Sequence, residues 1–300
     1  MSNSQKTISM KKLNLFSGIA VAALFLGMSF TSCKSNDPVV DPYAGKTNPS
    51  TIAAANLVAY FPLESATGAI TTGAGVSFSK LSGTGSFVTG RRGNAYKGST
   101  TAGFLEFNVA TTNLFKDLTE FTYSAWIKTP APTGGAASAF SVNGGDANMG
   151  NLNLVIESQS NADSLALKPY LRNATTPWQG QDMWTFKKAN STDKWIHVVS
   201  SYNKTTSVMS LYVNGLKINS TIRYADGVPV SGPQPLLGAL TFVDMTKFYI
   251  GAWGKLALGV TPEPWMVYYP GMIDELRIYN KGLSATEVKA LYDAEVSVIN

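Results

Sequence analysis

The sequence is poor in the residues that carry most nucleophilic and metal chemistry, since it has one cysteine, Cys33, and one histidine, His197. A single cysteine cannot form an intrachain disulfide framework, and a His/Cys zinc site lacks its ligands. A Ser-His-Asp triad and a Cys-His pair are not expected either, because His197 is the only histidine and Cys33 lies near the N-terminus. No phosphate-binding glycine loop precedes a predicted helix, which argues against a nucleotide enzyme.

Charged residues are also few, at 14% of the chain, whereas hydrophobic residues make up 44%. This balance argues against disorder and suits a β protein whose strands are separated by polar, uncharged loops. The formal net charge of +5 comes from 24 basic and 19 acidic residues, and three of the lysines lie in residues 1–32, which contain no acid. The remaining chain has 21 basic and 19 acidic residues and no basic stripe with interleaved aromatics, so nucleic acid is not an expected partner.

Residues 1–32 have the pattern of an export signal, with a basic start and an apolar run from Leu13 to Met28. The run leads to Phe30-Thr31-Ser32-Cys33, which resembles a lipobox with phenylalanine in place of the usual leucine. We therefore expect residues 1–32 to be a lipoprotein signal peptide, Cys33 to be lipidated, and residues 33–52, with three prolines, to be a flexible tether. A plain secretory signal with an incidental cysteine and an N-terminal membrane helix are the alternatives.

About a dozen short segments rich in alternating, β-branched and aromatic residues follow, separated by turn signals. Asn214-Gly215 joins two of them and predicts a tight hairpin, because both residues tolerate positive φ. Ser284 and Glu287 form a capping box, which predicts one helix near the C-terminus. The pattern predicts an all-β domain over residues 53–300, a sandwich of two antiparallel sheets with a short C-terminal helix.

Seven short segments carry a family pattern through their order and spacing: Leu57–Leu63, Gly93–Ala95, Phe121–Lys128, Trp195–Val198, Leu211–Gly215, Tyr249–Gly251, and Gly271–Asn280 with Glu287-Val288. Over residues 56–295 they resemble a laminin G-like domain of the concanavalin A-like lectin/glucanase superfamily. The resemblance implies a jelly-roll sandwich. Together with the lipobox, the chain is similar to the outer-surface lipoproteins with which Bacteroidetes handle glycans, which implies a lipid anchor in the outer membrane and a place at the cell surface.

The strand predicted at Gly271–Asn280 has one anomaly, because Asp274 shares a face with otherwise apolar residues. An ionised carboxylate in that position needs backbone N–H donors or a cation. Members of the resembled family often hold a structural calcium between the end of the first strand and the late aspartate, which implies Glu64 and Asp274 as ligands. Both roles of Asp274 remain open, since two carboxylates would leave most of the calcium ligands to backbone carbonyls and water.

Glycoside hydrolysis requires only two carboxylates, which lie about 5–9 Å apart. Catalytic members of the resembled superfamily carry a Glu-x-Asp-x-x-Glu pattern on one strand, and this sequence has none. Asp274 and Glu275 are adjacent and are predicted to point to opposite faces of their strand, while Glu106 and Glu157 stand alone in theirs. We expect no catalytic residue, with a polysaccharide-degrading hydrolase or lyase as the alternative.

Sugar binding needs exposed aromatic rings beside polar groups, because the rings stack on the apolar faces of pyranoses. Two groups in predicted loops are the glycan-binding candidates: Tyr170, Trp178 and Trp184, and then Trp253, Trp265, Tyr268 and Tyr269. The alternative is that these rings anchor loops by packing. The expected protein is a non-catalytic surface lipoprotein that binds a glycan or a glycosylated partner and requires no cofactor. A structural or adhesive protein without a sugar site is the remaining alternative.

Overall fold

The computed structural model describes residues 45–65, 75–110, 115, 117–131, 133–143, 149–158, 163–174, 184–186, 191–225, 233–242 and 245–297, with the backbone alone for residues 158 and 184–186. The strands are β1 Leu57–Phe61, β2 Val76–Ser82, β3 Ser86–Thr89, β4 Asn94–Lys97, β5 Phe104–Val109, β6 Phe121–Lys128, β7 Ala136–Asn143, β8 Leu152–Ser158, β9 Leu165–Leu171, β10 Trp184–Phe186, β11 Trp195–Asn203, β12 Val208–Val213, β13 Leu216–Ile222, β14 Lys247–Ile250, β15 Met266–Val267 and β16 Met272–Tyr279. The helices are α1 Gly254–Leu258 and α2 Ala285–Val296.

The strands form two sheets that pack face to face. Sheet A has the order β13-β12-β11-β6-β16-β4-β3, with β1 also paired to β16, and sheet B has the order β10-β9-β8-β7-β14-β5-β2, with β15 also paired to β7. Aromatic side chains join the sheets, since Phe61 stacks on Phe248 at 4.9 Å and Tyr123 meets Phe140 edge-on at 4.9 Å between ring centroids. The predicted all-β sandwich of two antiparallel sheets with a C-terminal helix is confirmed.

Two local predictions are confirmed in detail. Asn214 and Gly215 have φ values of 50° and 75°, and they join β12 to β13 in a two-residue turn. At the start of α2, the Ser284 side chain accepts a hydrogen bond from the Glu287 N–H at 3.3 Å, and the Glu287 carboxylate accepts one from the Ser284 N–H at 2.9 Å. These reciprocal bonds satisfy two backbone donors that the first turn of a helix leaves unpaired.

Strand β16 contains a β-bulge that the sequence analysis did not predict. Asp274 pairs with Trp126 of β6, but Arg277 pairs with Ser124, so β16 has one extra residue over this span. Glu275 within the bulge has a φ of 51°, in the left-handed region. The extra residue reverses the inward and outward alternation of the side chains that follow it in β16. Core-facing residues are Ile273, Leu276 and Ile278, whereas Asp274, Arg277 and Tyr279 lie outside the main core cluster. The prediction that Asp274 shares the apolar face is therefore wrong.

The folded part begins before residue 53. Pro49 is buried in a short 3-10 turn, Pro49–Thr51, that contacts α2, and Ile52 and Ala53 pack against the apolar cluster beneath that helix. The last residues of the predicted tether thus belong to the sandwich. The predicted signal peptide and Cys33 lie outside the described residues. No helix within the described ranges combines the length and apolar character needed to cross a bilayer.

Candidate functional site

A cavity of about 370 Å³ opens at one end of the sandwich, where the loop after β6 meets the segment that leads from β15 into β16. We call it the end pocket. Apolar side chains and threonines dominate its wall, and none of the described residues that line it is charged. The lining comprises residues 129–131, 133–135 and 267–270, together with Thr100, Ala137 and Ile156.

The wall of the end pocket is held by a short parallel strand pair. Met266 and Val267 of β15 pair with Ala136 and Ala137 of β7, and the Ala136 N–H donates to the Trp265 carbonyl at 2.7 Å. Gly135 makes this approach feasible, because its φ is +69° and a Cβ there would lie 2.8 Å from the Trp265 carbonyl oxygen. The pocket is therefore formed before any ligand arrives, by backbone contacts that a side chain at position 135 would prevent.

Trp265 stands beside the pocket with its ring in solvent. Its side chain is 41% exposed, and Val267 two residues later is 36% exposed, whereas Met266 between them is 6% exposed. Val267 lines the end pocket, whereas Trp265 lies one residue before β15 and its ring contacts Trp253, which clusters with Met266 and Ala136. The indole of Trp265 rests edge-on against the buried indole of Trp253, with 5.3 Å between ring centroids. This support fixes the orientation of an aromatic surface next to the cavity.

Tyr268 lines the pocket and is half-buried. Its ring stacks in parallel on Phe104, with 6.2 Å between centroids and 6° between planes, and its hydroxyl donates to the Leu256 carbonyl at 3.2 Å. Both contacts fix the ring. Of the four aromatics in the second predicted group, Tyr268 and Tyr269 line the end pocket, and Trp265 is outside the lining but is exposed beside it.

Three other predicted candidates are enclosed. Trp253 and Tyr269 are 0% exposed and Tyr170 is 1% exposed, so their ring faces contact protein and cannot stack on a sugar in this structure. Trp253 donates from Nε1 to the Ala136 carbonyl at 2.7 Å, and the Tyr269 hydroxyl pairs with the Thr129 hydroxyl at 2.8 Å. Their assignment as glycan contacts is therefore corrected to loop packing, the alternative left open above.

The remaining aromatic candidates are not tested. Trp178 lies outside the described residues, and of Trp184 only the backbone is described, at the start of β10. The sequence analysis missed the loop that forms the other half of the end pocket. Its Gly134-Gly135 pair was the available signal, because adjacent glycines mark a site of close backbone approach.

The carboxylates of sheet B are not arranged as a glycosidase pair. Three strand spacings and an offset of four residues separate Glu106 on β5 from Glu157 on β8, or roughly 19 Å at ~4.8 Å per strand and ~3.3 Å per residue. Each is neutralised: Glu106 by Lys247 at 2.6 Å and Lys80 at 3.3 Å, and Glu157 by Lys168. Burial favours a higher pKa for Glu106, but the two lysines outweigh it and lower the pKa, which suits an ion pair and not a general acid.

Asp274 fastens the loop that precedes β4. One carboxylate oxygen accepts the N–H groups of Arg91 at 2.8 Å and Arg92 at 3.0 Å, and the other accepts the N–H of Glu275 at 2.8 Å. Burial and the charge of Glu275 raise the pKa of Asp274 to about 8, against the lowering effect of these three donors. Of the two roles left open for Asp274, the structure shows the backbone contacts.

The second predicted calcium ligand binds the same loop. The Glu64 carboxylate accepts the Asn94 N–H at 2.7 Å, and the Glu64 carbonyl accepts the Asn94 side-chain amide at 3.1 Å. Backbone N–H groups thus serve as hydrogen-bond partners of both carboxylates. No group of three His, Cys, Asp or Glu side chains in the described ranges could hold a metal. The structure shows N–H partners for both carboxylates, and the calcium role stays a prediction.

A buried ionic network lies between sheet A and α2. Arg277 is 1% exposed, donates to Glu275 at 2.7 Å and also binds Glu295 of α2. Glu275 accepts the Tyr60 hydroxyl at 2.8 Å, and Glu295 accepts the Trp126 indole N–H at 2.7 Å. Glu275 therefore does not face away from Asp274 into a separate environment, because the bulge brings both carboxylates to the outer side of sheet A. We call Arg277, Glu275 and Glu295 the buried triad.

His197 belongs to the same layer and has a structural place. Its imidazole is 0% exposed, and its Nε2 lies 2.7 Å from the Ser124 hydroxyl and 3.3 Å from the Glu295 carboxylate. Burial, followed by the charges of Arg277 and Arg91, lowers the pKa of His197 to about 3. The ring therefore stays neutral across physiological pH and has no contact with solvent.

Comparisons with known proteins agree with this architecture. The receptor binding domain of botulinum neurotoxin D has a TM-score of 0.55 and 15% identity over 80% of this chain and 53% of its own. The receptor binding domain of the botulinum neurotoxin C/D mosaic serotype has a TM-score of 0.54 and 16% identity over 80% of this chain and 51% of its own. The present chain thus spans about half the length of these toxin domains, and at this identity the likeness shows the fold alone.

None of the curated proteins matches this sequence. Residues 101–241 match the family model Laminin_G_3, described as the concanavalin A-like lectin/glucanases superfamily, and these residues supply the central strands of both sheets. The chain is therefore similar to the concanavalin A-like superfamily over these residues, and its fold is a sandwich of two antiparallel sheets.

Proposed function

We propose that this chain is a non-catalytic binding module that recognises a glycan or a glycosylated partner at the end pocket, with Trp265 and Tyr268 as its aromatic contacts. The observation that carries the proposal is an exposed indole held in place next to a preformed cavity. Flat aromatic surfaces suit the apolar faces of sugars, and an exposed ring that needs no reordering can contact them directly.

Preorganisation supports binding at this place. Trp253 supports the Trp265 ring, Phe104 supports the Tyr268 ring, and the Trp265 carbonyl is tied to β7. Because the rings are already ordered, a ligand does not have to supply the entropy cost of ordering them. The proposal agrees with the receptor-binding role in the names of the two toxin domains that share the fold.

Binding is preferred over hydrolysis because of the carboxylates. Glu106 and Glu157 are too far apart and are paired with lysines, and the buried triad is sealed beneath α2. No carboxylate lines the end pocket among its described residues, so a sugar bound there would meet neither a general acid nor a nucleophile.

We also propose that the module is carried at the cell surface, in the outer membrane, by a lipid on Cys33. The lipobox-like Phe30-Thr31-Ser32-Cys33 supports this, together with the polar residues between it and Pro49. Labelled fatty acid should be incorporated by the natural protein and not by Cys33→Ser. Equal labelling of both would show that Cys33 is not the anchor.

The binding proposal is tested with purified residues 45–300 on a panel of immobilised polysaccharides and glycoproteins. Trp265→Ala should lower the affinity for a retained ligand about tenfold, since an aromatic contact adds on the order of 1 kcal/mol. Leu216→Ala is the matched control, because Leu216 is 64% exposed on the edge strand β13 and should leave retention unchanged. Retention equal in both variants, or release of sugar products into the medium, would contradict the proposal.

A further inference from the structure

The end pocket also indicates which sugars it takes, an inference that rests on the proposed function. We infer that it accepts an uncharged sugar residue bearing a methyl group, such as a 6-deoxyhexose or an N-acetylhexosamine, with the methyl group pointing inward.

The end pocket favours an uncharged ligand. No described lining residue carries a charge, so the pocket offers no ionic partner to a uronate, a sulfate or an amino sugar. Moving a charged group out of water without a partner is strongly unfavourable. The exposed hydroxyls of Thr100 and Thr133 suit the neutral hydroxyls of a sugar, whereas those of Thr129, Tyr268 and Tyr269 are already hydrogen-bonded within the protein.

The inner wall of the end pocket is apolar. Ala137 and Ile156 are paired residues on β7 and β8, and both belong to the apolar core between the sheets. They form the inner wall of the pocket, where the Tyr269 hydroxyl is already paired with Thr129 and the Met272 carbonyl. A sugar hydroxyl placed against Ala137 and Ile156 would lose its water without a partner, whereas a methyl group would gain from burial.

The mouth of the end pocket suits the polar part of the ligand. Thr100, Thr133 and Gly134 are exposed at the mouth, and a Cβ built on Gly134 would meet no atom within 4 Å. Sugar hydroxyls can therefore reach hydroxyl and backbone partners there. A cavity of about 370 Å³ lies within the range of roughly 300–1,000 Å³ found for small-molecule pockets and has room for one hexose unit.

The test compares sugars that differ only at the methyl group. Binding of L-fucose and of L-galactose, which differ by the 6-hydroxyl, is measured by saturation-transfer NMR and by competition against the retained glycan. N-acetyl-D-glucosamine and N-formyl-D-glucosamine, which differ by the methyl group alone, form the second set, with D-glucuronate as the charged sugar. We expect L-fucose or N-acetyl-D-glucosamine to compete at least about tenfold better than its partner without the methyl group, with the strongest saturation transfer at the methyl protons.

Two variants tie this preference to the pocket. Thr133→Trp places a ring across the mouth on an exposed loop, and it should abolish competition by the preferred sugar. Thr205→Trp is the matched control, because Thr205 is exposed in the turn between β11 and β12. Trp195, at the other end of β11, pairs with Lys128 beside the pocket loop, so Thr205 lies far from the pocket.

The outcomes separate this inference from the proposed function. Equal competition with and without the methyl group, while Trp265→Ala still weakens retention, would overturn the methyl preference and leave glycan binding standing. Competition unchanged in Thr133→Trp would also overturn it. If no glycan is retained by the natural sequence, both the inference and the proposed function fail.

Discussion

Replacing Arg277 by methionine tests the energetic role of the buried triad. Arg277 is fully enclosed and binds Glu275 at the bulge of β16 and Glu295 on α2. Methionine keeps an unbranched side chain of related length but removes the charge and the donors. Both carboxylates would then remain buried without their main partner, and the link between sheet A and α2 would be lost.

The expected loss follows from that geometry. Breaking a buried ion pair by removing one partner costs about 3–5 kcal/mol. Arg277 serves two carboxylates, so the loss should lie in this range despite the tyrosine and tryptophan donors that remain. A domain of this size loses about 2–4 °C of Tm per kcal/mol, which predicts a decrease of roughly 6–20 °C.

The assay is thermal and urea unfolding at pH 8, above the Glu295 pKa of about 7, followed by circular dichroism. Arg92→Met is the matched control, because Arg92 reaches Glu275 at 3.4 Å with a side chain that is 29% exposed, and it should cost at most about 1 kcal/mol. Adding Glu295→Gln to Arg277→Met should recover part of the loss, since it removes one unpaired charge. A loss below about 1 kcal/mol in Arg277→Met, or no recovery in the double variant, would refute the reasoning.

Two further predictions concern the carboxylates. At pH 9, above the Asp274 pKa of about 8, Asp274→Asn should destabilise the fold by on the order of 2 kcal/mol, because the side-chain amide would face backbone N–H donors. A chelator should change the stability of neither protein. A chelator effect confined to the natural sequence would support the calcium role. The pKa of Glu295 is raised by burial from 4.5 to about 7, against the opposing charge of Arg277, so between these values the folded state holds a proton that the unfolded state has released. Stability should therefore fall as pH rises from 4.5 to 7, and Glu295→Gln should flatten that decrease in urea unfolding; parallel profiles would contradict it.

Local signals predicted much of the fold. The Asn214-Gly215 turn and the Ser284 capping box needed only neighbouring residues, because each sets its own backbone geometry. Strand β7 was not predicted, since Ala136-Ala137-Ser138-Ala139 has little β propensity and forms a strand only because β8 and β14 pair with it.

The site was less predictable, for two physical reasons. The bulge at Glu275 adds one residue to β16 and reverses every inward and outward assignment in its neighbourhood, and alternation alone cannot reveal such an insertion. Exposure of loop aromatics depends on which segment folds over which. The local sequences around Trp253 and Trp265 do not distinguish a buried ring from an exposed one. Trp253 is buried because α1 and β15 pack over it, whereas the Trp265 ring rests against Trp253 and is exposed.

The central claim is that Trp265 contacts a sugar. The most direct measurement follows the indole N–H signals of the six tryptophans in a ¹⁵N-labelled sample titrated with cello-, xylo-, chito- and fucosylated oligosaccharides, with the Trp265 signal assigned through Trp265→Phe. We predict that at least one sugar shifts the Trp265 signal in a saturable way, while the signal of Trp126, buried against Glu295, stays in place. A sugar that binds without moving the Trp265 signal, or the absence of any shift across the set, would contradict the account.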